Sequence, residues 1–371
     1  MTAARFGERP VAFFLPSLEG GGAERVMLNL AAEFAERGVR TDLVLASAQG
    51  PYLRLVPPSL RIVDLQATRL LRSLRPLAAY LKRERPRALV AALDHANLIA
   101  MAAARFAGRD VHTVISLHCA YTRQIEAAGI RTTAITWLMG RLHRWAHAIV
   151  AVSEGVAEDA VGSIGIPRDR IEVIYNPVIT PALVPSSIEP AAHPWFSDGG
   201  APVVLGVGRL VPQKNFQLLI EAFARVRAQR PVRLVILGEG PERPALEALI
   251  ARHGVQDVVA LPGFVQNPYA CIARAAVFVL SSDFEGLPTV LIESLALGTP
   301  VVATDCETGP REILRGGLHG ELVPVGDAQG LAAAMNRALD APRSRPDAAA
   351  LRPYTLDVAV DQFLEACRVH A

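Results

Sequence analysis

The chain has 371 residues, room for about two domains at roughly 150 residues each. Half of it is hydrophobic (51%) and a fifth is charged (20%), which supports packed cores and excludes global disorder. With 38 basic against 36 acidic residues, a net charge of +2 is too even for a nucleic-acid binder, so no nucleic-acid partner is expected.

Residues 1–10 are polar, with Arg5, Glu8 and Arg9, and lack the apolar core of a secretion signal. A strand at 11–15 runs into Gly20-Gly21-Gly22, and a helix over 23–37 ends at Gly38. Further strands are expected at 41–46, 88–93, 111–117 and 148–152, separated by helical patterns. The apolar stretch 88–104 is interrupted by Asp94 and His95 and is short for a membrane span. Six prolines between 176 and 202 preclude a regular element and mark a linker, with the boundary near 185. Beyond it, strands are expected at 203–207, 233–237, 258–261, 277–280 and 300–303. A helix over 215–229 carries an apolar face of Phe216, Leu219, Ile220, Phe223 and Val226. A second Pro-rich patch, 341–353, precedes a final helix over 356–369. Alternating strands and helices predict two doubly wound α/β domains, 1–184 and 185–353, with helix 354–371 packing back toward the first. Ligands would bind in a cleft at the carboxyl ends of the strands. Four scattered cysteines read as buried thiols in a reducing compartment, and the expected location is cytoplasmic.

Three motifs carry chemistry. The triple glycine between strand and helix lets backbone amides approach an anion closely, although a ligand-free tight turn has the same composition. Arg209 and Lys214 flank a strand-to-helix loop, where fixed cations meet a leaving diphosphate unless they are merely solvated. Glu285 and Glu293 stand eight positions apart; Glu285 suits sugar hydroxyls, Glu293 a ribose, and the amides around Thr289 and Val290 a phosphate. No Asp-x-Asp pair occurs anywhere, so no metal ion and no other cofactor is expected.

Taken in order, the Gly-Gly-Ala-Glu turn, Gly208-Arg209-x4-Lys214-Asn215, Gly238-Glu239-Gly240-Pro241, Leu261-Pro262-Gly263-Phe264 and Glu285-x7-Glu293 resemble a family 4 retaining glycosyltransferase over nearly the whole chain. The resemblance implies the GT-B fold, two Rossmann-like domains facing an interdomain cleft, and transfer from a nucleotide sugar with retention, forming an α-linkage. It implies Arg209 and Lys214 on the diphosphate, Glu285 on the donor sugar, and Glu293 on the ribose. Gly263, Phe264 and Val265 fall near the base, Gly21 and Gly22 under the phosphates, and Leu287, Thr289 and Val290 beside the bound donor. It also implies His118, at the end of strand 111–117, as a histidine close to the donor sugar. The acid that often follows that histidine is replaced by Cys119, Ala120 and Tyr121. His95 is a weaker candidate for an acceptor contact.

With no evident carboxylate nucleophile, front-face attack is expected, the leaving phosphate helping to deprotonate the acceptor. UDP is the preferred carrier, with a hexose or N-acetylhexosamine as cargo. Charge points to the acceptor: residues 51–150 hold 15 basic and 5 acidic side chains. Arg69, Arg72, Arg75, Lys82, Arg83, Arg85 and Arg87 are interspersed with leucines. A second cluster spans Arg131 to Arg144 with Trp137 and Trp145. These suit a glycan or lipid-linked, pyrophosphate-bearing acceptor at an anionic membrane surface, on the inner face of the cytoplasmic membrane. Solvated helix faces have the same pattern. A nucleotide-sugar epimerase and a non-catalytic nucleotide-sugar-binding protein are the competing functions.

Overall fold

Strands apolar on both faces can be satisfied only inside a parallel sheet covered by helices on each side. The structure, a computed structural model, describes residues 9–108, 111–122 and 137–369. Contacts divide the chain into two units, Met1–Val178 with Pro353–Ala371, and Ile179–Arg352.

Among the described residues, the first unit holds β1 (Val11–Leu15), β2 (Thr41–Leu45), β3 (Arg61–Asp64), β4 (Ala88–Ala92), β5 (His112–Leu117), β6 (Ala148–Ala151) and β7 (Ile171–Val173). They form one parallel sheet in the order β3-β2-β1-β4-β5-β6-β7. Period-two alternation shows why both faces must be covered. Val11, Phe13 and Leu15 pack on the side of helix Gly22–Glu36, whereas Ala12 and Phe14 pack under helices Leu74–Glu84 and Asp94–Ala107. The last helix, Leu356–Ala366, buries Leu356, Ala359, Val360 and Phe363 in the first of these cores.

The second unit holds β8 (Val203–Val207), β9 (Arg233–Leu237), β10 (Val259–Gly263), β11 (Val277–Leu280), β12 (Val301–Thr304) and β13 (Glu321–Val323), in the order β10-β9-β8-β11-β12-β13. Counted from its own first strand this is the 3-2-1-4-5-6 order of a dinucleotide-binding sheet. Helices Phe216–Arg227 and Ala328–Asp340 close its main core, with Leu219, Phe223 and Met335 fully buried.

Two departures from the sequence reading have physical causes. Strands β3, β7 and β13 were not expected; each lies at a sheet edge, is three or four residues long and carries charge. The proline-rich segment also contains regular structure, a short helix Leu183–Ser187 and a 3-10 turn Pro194–Phe196. Pro185 sits in the helix's first turn and Pro194 opens the 3-10 turn, positions where no intrahelical N–H bond is lost.

Candidate active site

In the second unit the strand order reverses between β8 and β11, the switch point at whose carboxyl ends open α/β sheets bind ligands. The loops leaving those ends carry Arg209 and Lys214 on one side and Glu285 on the other, 71 residues apart in sequence for the last pair. They are stitched together. Gln213 Nε2 donates to Phe284 O (2.8 Å), Asp283 N to Gln213 O (2.9 Å), and Ser281 Oγ to Lys214 O (2.9 Å). Asn215, held in the left-handed region at φ 43°, caps helix Phe216–Arg227 by accepting from Leu218 N and donates from Nδ2 to Asp283 Oδ1 at 2.7 Å.

Within this frame Lys214 Nζ meets Glu285 Oε1 at 2.6 Å, and Ser282 Oγ donates to the same oxygen at 2.6 Å. Glu285 is only 6% exposed, and its backbone carbonyl is held by the Thr308 hydroxyl. Oε2 of Glu285 makes no hydrogen bond among the described residues, so one oxygen remains for a ligand while the other fixes Lys214. Arg209 is different: it is exposed, and its side chain makes neither an ion pair nor a hydrogen bond among the described residues. The structure thus brings Lys214 and Glu285 together and leaves Arg209, on the same loop as Lys214, with its side chain uncommitted among the described residues. Nearby, burial and the Glu285 carboxylate push the Cys306 thiol up to about 12.

Close backbone approach explains the glycines. A Cβ on Gly238 would lie 1.8 Å from Gly208 O, and one on Gly263, at φ 93°, would lie 2.8 Å from Glu239 Oε1. Glu239 is gripped by the Arg243 fork at 3.0 and 2.6 Å, which holds its carboxyl below the usual range. Beyond Gly263, Phe264 is half exposed and Val265 half-buried. Helix Thr289–Ala296 starts after Pro288, with Thr289 and Val290 in its first turn and a partly exposed Glu293 inside it; Leu287, just before it, is buried.

In the first unit the reversal falls between β1 and β4. Gly21 is the cap residue and Gly22 the first residue of helix Gly22–Glu36, but the turn already holds an anion of its own. Glu24, 8% exposed, accepts from Gly20 N (2.8 Å) and Gly21 N (3.1 Å) through one carboxylate oxygen. At the end of β4, Leu93 adopts φ 74° and Asp94 Oδ1 accepts from the Tyr121 hydroxyl at 2.7 Å; His95 is exposed. His118 lies just past β5 with Nε2 3.0 Å from Ser116 Oγ. Burial lowers its pKa to about 4, so the imidazole is neutral at neutral pH.

Sequence reasoning missed Ser282, Thr308 and Asp283, and gave Glu24, part of the Gly-Gly-Ala-Glu turn, no role of its own. Ser282-x-x-Glu285 has the spacing of a helix-capping box, but no helix starts there and the bond formed is a different one, from the Ser282 hydroxyl to the Glu285 carboxylate. Glu24 was legible as a capping residue; Thr308 gave no signal. Of the basic clusters, Arg69, Arg72, Arg75, Lys82, Arg83 and Arg85 are exposed, and Arg141 lies over the exposed Trp137 ring at 4.8 Å. Arg131 falls outside the described residues. Among the described residues no helix is long and apolar enough to cross a membrane.

Paired sheets of this order, each with its loops at a reversal point, are the GT-B arrangement of glycosyltransferases. Models of two families match: "Glycosyltransferase Family 4" over residues 20–180 and "Glycosyl transferases group 1" over residues 188–354. The chain is 33% identical over 321 residues to the lipopolysaccharide core biosynthesis glycosyltransferase LpsE of Rhizobium meliloti, covering 85% of each. It is 34% identical over 233 residues to an N-acetylgalactosaminyltransferase of Campylobacter jejuni that acts on a diphospho-undecaprenol glycan, covering 63% of this chain and 61% of that one. Among solved structures, Anabaena HepE in complex with UDP and glucose superposes with a TM-score of 0.78 at 22% identity, covering 97% of this chain and all of that one. The chain belongs to the family 4 glycosyltransferases, and its enzymatic class is glycosyl transfer.

Proposed function

We propose that this glycosyltransferase moves a hexose or N-acetylhexosamine from a UDP-sugar, with retention, to a hydroxyl of a lipid-linked or lipopolysaccharide glycan, forming an α-linkage without a metal ion. The acceptor class is supported by the activities of the Campylobacter relative and of the Salmonella typhimurium lipopolysaccharide 1,6-galactosyltransferase, 28% identical over 238 residues. UDP is supported by the Anabaena neighbour's complexes with UDP and UDP-glucose. The protein is read as a peripheral enzyme of the inner face of the cytoplasmic membrane.

The observation that carries the mechanism is the unequal state of the two cations. Arg209, whose side chain has no partner among the described residues, supplies the net positive charge that meets the departing diphosphate. Lys214 is neutralised by Glu285 and orients that carboxylate, whose Oε2 accepts from the donor sugar's hydroxyls. Glu293 receives the ribose, Gly263, Phe264 and Val265 the base, and Thr289 and Val290 amides the phosphate, with Leu287 packed behind them. Gly21, Gly22 and His118 are assigned to the same donor by the family resemblance. Front-face attack follows, the departing phosphate oxygen taking the acceptor's proton.

Nucleotide release is measured with UDP-sugars, with and without a polyprenyl-diphosphate glycan acceptor, in buffer containing EDTA. Arg209→Ala is expected to lower kcat/KM by about 10²- to 10³-fold, the cost of removing one preorganised charge donor. Lys214→Ala strands a buried carboxylate and costs about 3 kcal/mol or more of stability. Adding Glu285→Gln recovers stability without recovering turnover. Unchanged turnover in Arg209→Ala, or loss of activity in EDTA restored by a divalent ion, overturns the mechanism. Trapping of a glycosyl-enzyme on a carboxylate by mass spectrometry overturns front-face attack.

A further inference from the structure

Ser116 lies on β5, two residues before His118, and is fully buried. Its carbonyl accepts from Asn97 Nδ2 at 2.9 Å, which ties the end of β5 to helix Asp94–Ala107. Asn97 is itself fully buried, and its Oδ1 has no partner among the described residues, so this residue is present for its amide donor. The Ser116 hydroxyl has one hydrogen-bonding neighbour among the described residues, Nε2 of His118 at 3.0 Å. Nδ1 of His118 makes no hydrogen bond among them.

A buried hydroxyl must place its proton on an acceptor, because leaving it unmade costs about 1–3 kcal/mol. Nε2 is the acceptor in reach. If Nε2 takes the Ser116 hydrogen bond it carries a lone pair, and a neutral ring then bears its proton on Nδ1. Burial keeps the ring neutral.

We propose that Ser116 is a positioning residue that fixes His118 in the Nδ1–H form, so that the histidine serves as a hydrogen-bond donor to an oxygen of the donor sugar and not as a proton acceptor. The proposal rests on the placement of His118 at the donor made above, and it gives that side chain a defined chemistry. Nδ1–H offers a hydrogen bond to a sugar hydroxyl or ring oxygen, with no net proton transfer. Deprotonation of the acceptor is left to the departing phosphate.

The test uses the full chain carrying ring ¹⁵N-labelled histidine. Two-bond ¹H–¹⁵N correlations distinguish the tautomers, and the His118 ring is assigned as the signal lost in His118→Asn. The wild type is expected to show the Nδ1–H pattern, Ser116→Ala the Nε2–H or averaged pattern, and Ser116→Thr the wild-type pattern. In steady state, Ser116→Ala is expected to lower kcat about tenfold, the worth of one hydrogen bond held in the reacting complex, with KM for the UDP-sugar nearly unchanged. Ser116→Thr restores most of it, which a simple packing defect would not predict. An Nε2–H pattern in the wild type, or Ser116→Ala with tautomer and kcat both intact, overturns the proposal. If the tautomer follows Ser116 but His118→Asn turns over normally, the placement of His118 at the donor is what fails.

Discussion

A carboxylate held against two consecutive glycine amides, 8% exposed and bridging both with one oxygen, is bonded as strongly as many bound ligands. Glu24 therefore does more than begin a helix: it sets the turn in which Gly20 takes φ 103° and Gly21 reaches the extended cap geometry. Replacing Glu24 by Ala removes a charged acceptor from two part-buried donors and is expected to cost about 2 kcal/mol, measured as a shift in urea midpoint at unchanged slope. Glu24→Gln keeps an acceptor oxygen and should cost about half as much. A Glu24→Ala chain as stable as the parent would mean that water caps the turn equally well. The same scale shows what sequence could tell about the site. Arg209, Lys214, Glu285 and Glu293 were legible as residue types on loops and helix starts. Their partnerships were not, because Lys214 finds Glu285 across 71 residues and Glu285's carbonyl finds Thr308 in a third loop. A local pattern carries no term for such meetings.

Elements were legible in proportion to their burial. The central strands β1, β4, β8 and β11 are covered on both faces and read as uninterrupted apolar runs. The edge strands β3 (Arg-Ile-Val-Asp), β7 (Ile-Glu-Val) and β13 (Glu-Leu-Val) are short and charged, as edges are when they must not recruit a second chain, and that composition hides them. The final helix shows the converse, a late segment that serves an early core. Phe363, 2% exposed, packs in the cluster that includes Val26, Leu30 and Phe34, and Arg37 reaches Asp357 at 3.1 Å and also pairs with Asp361. Phe363→Ala is expected to destabilise the first unit by about 3–5 kcal/mol, since it opens a cavity where the site cannot fully collapse. Asp357→Asn, at an 86% exposed side chain, should cost under about 1 kcal/mol. With Trp195 of the second unit replaced by Phe, denaturation followed by the fluorescence of Trp137 and Trp145 reports the first unit; equal shifts for the two variants would mean that the ion pairs, not the apolar face, hold the helix.

At the scale of the whole molecule, charge is unevenly distributed: residues 1–180 carry 22 basic and 16 acidic side chains, and the remainder 16 and 20. Helix energetics separate two groups within the basic surface. Lys82 and Arg83 lie in the last turn of helix Leu74–Glu84, where cations offset the helix dipole, so their presence needs no partner. Arg69, Arg72 and Arg75 crowd the opposite end; Arg75 stands in the first turn, where no acidic residue is present and a cation opposes the dipole by about 0.3–1 kcal/mol. Leu71 stands among them 73% exposed. Helix energetics give these arginines no stabilising role beyond the bond from Arg72 to the Thr68 hydroxyl at 3.3 Å, and an anionic surface with an apolar layer beneath it is the partner we propose for them. Flotation with phosphatidylglycerol-containing vesicles is expected to carry the protein at low salt, and with phosphatidylcholine alone it should not. Raising the salt to about 1 M shortens the screening length to about 3 Å and should release it. Arg69→Glu, Arg72→Glu and Arg75→Glu together remove about 1 kcal/mol of attraction per lost cation and add repulsion, so that variant should stay in the aqueous fraction. Lys82→Glu with Arg83→Glu should weaken binding less, while costing helix stability. No flotation of the wild-type chain at low salt, or equal loss from both sets of substitutions, would assign the arginines to solvent.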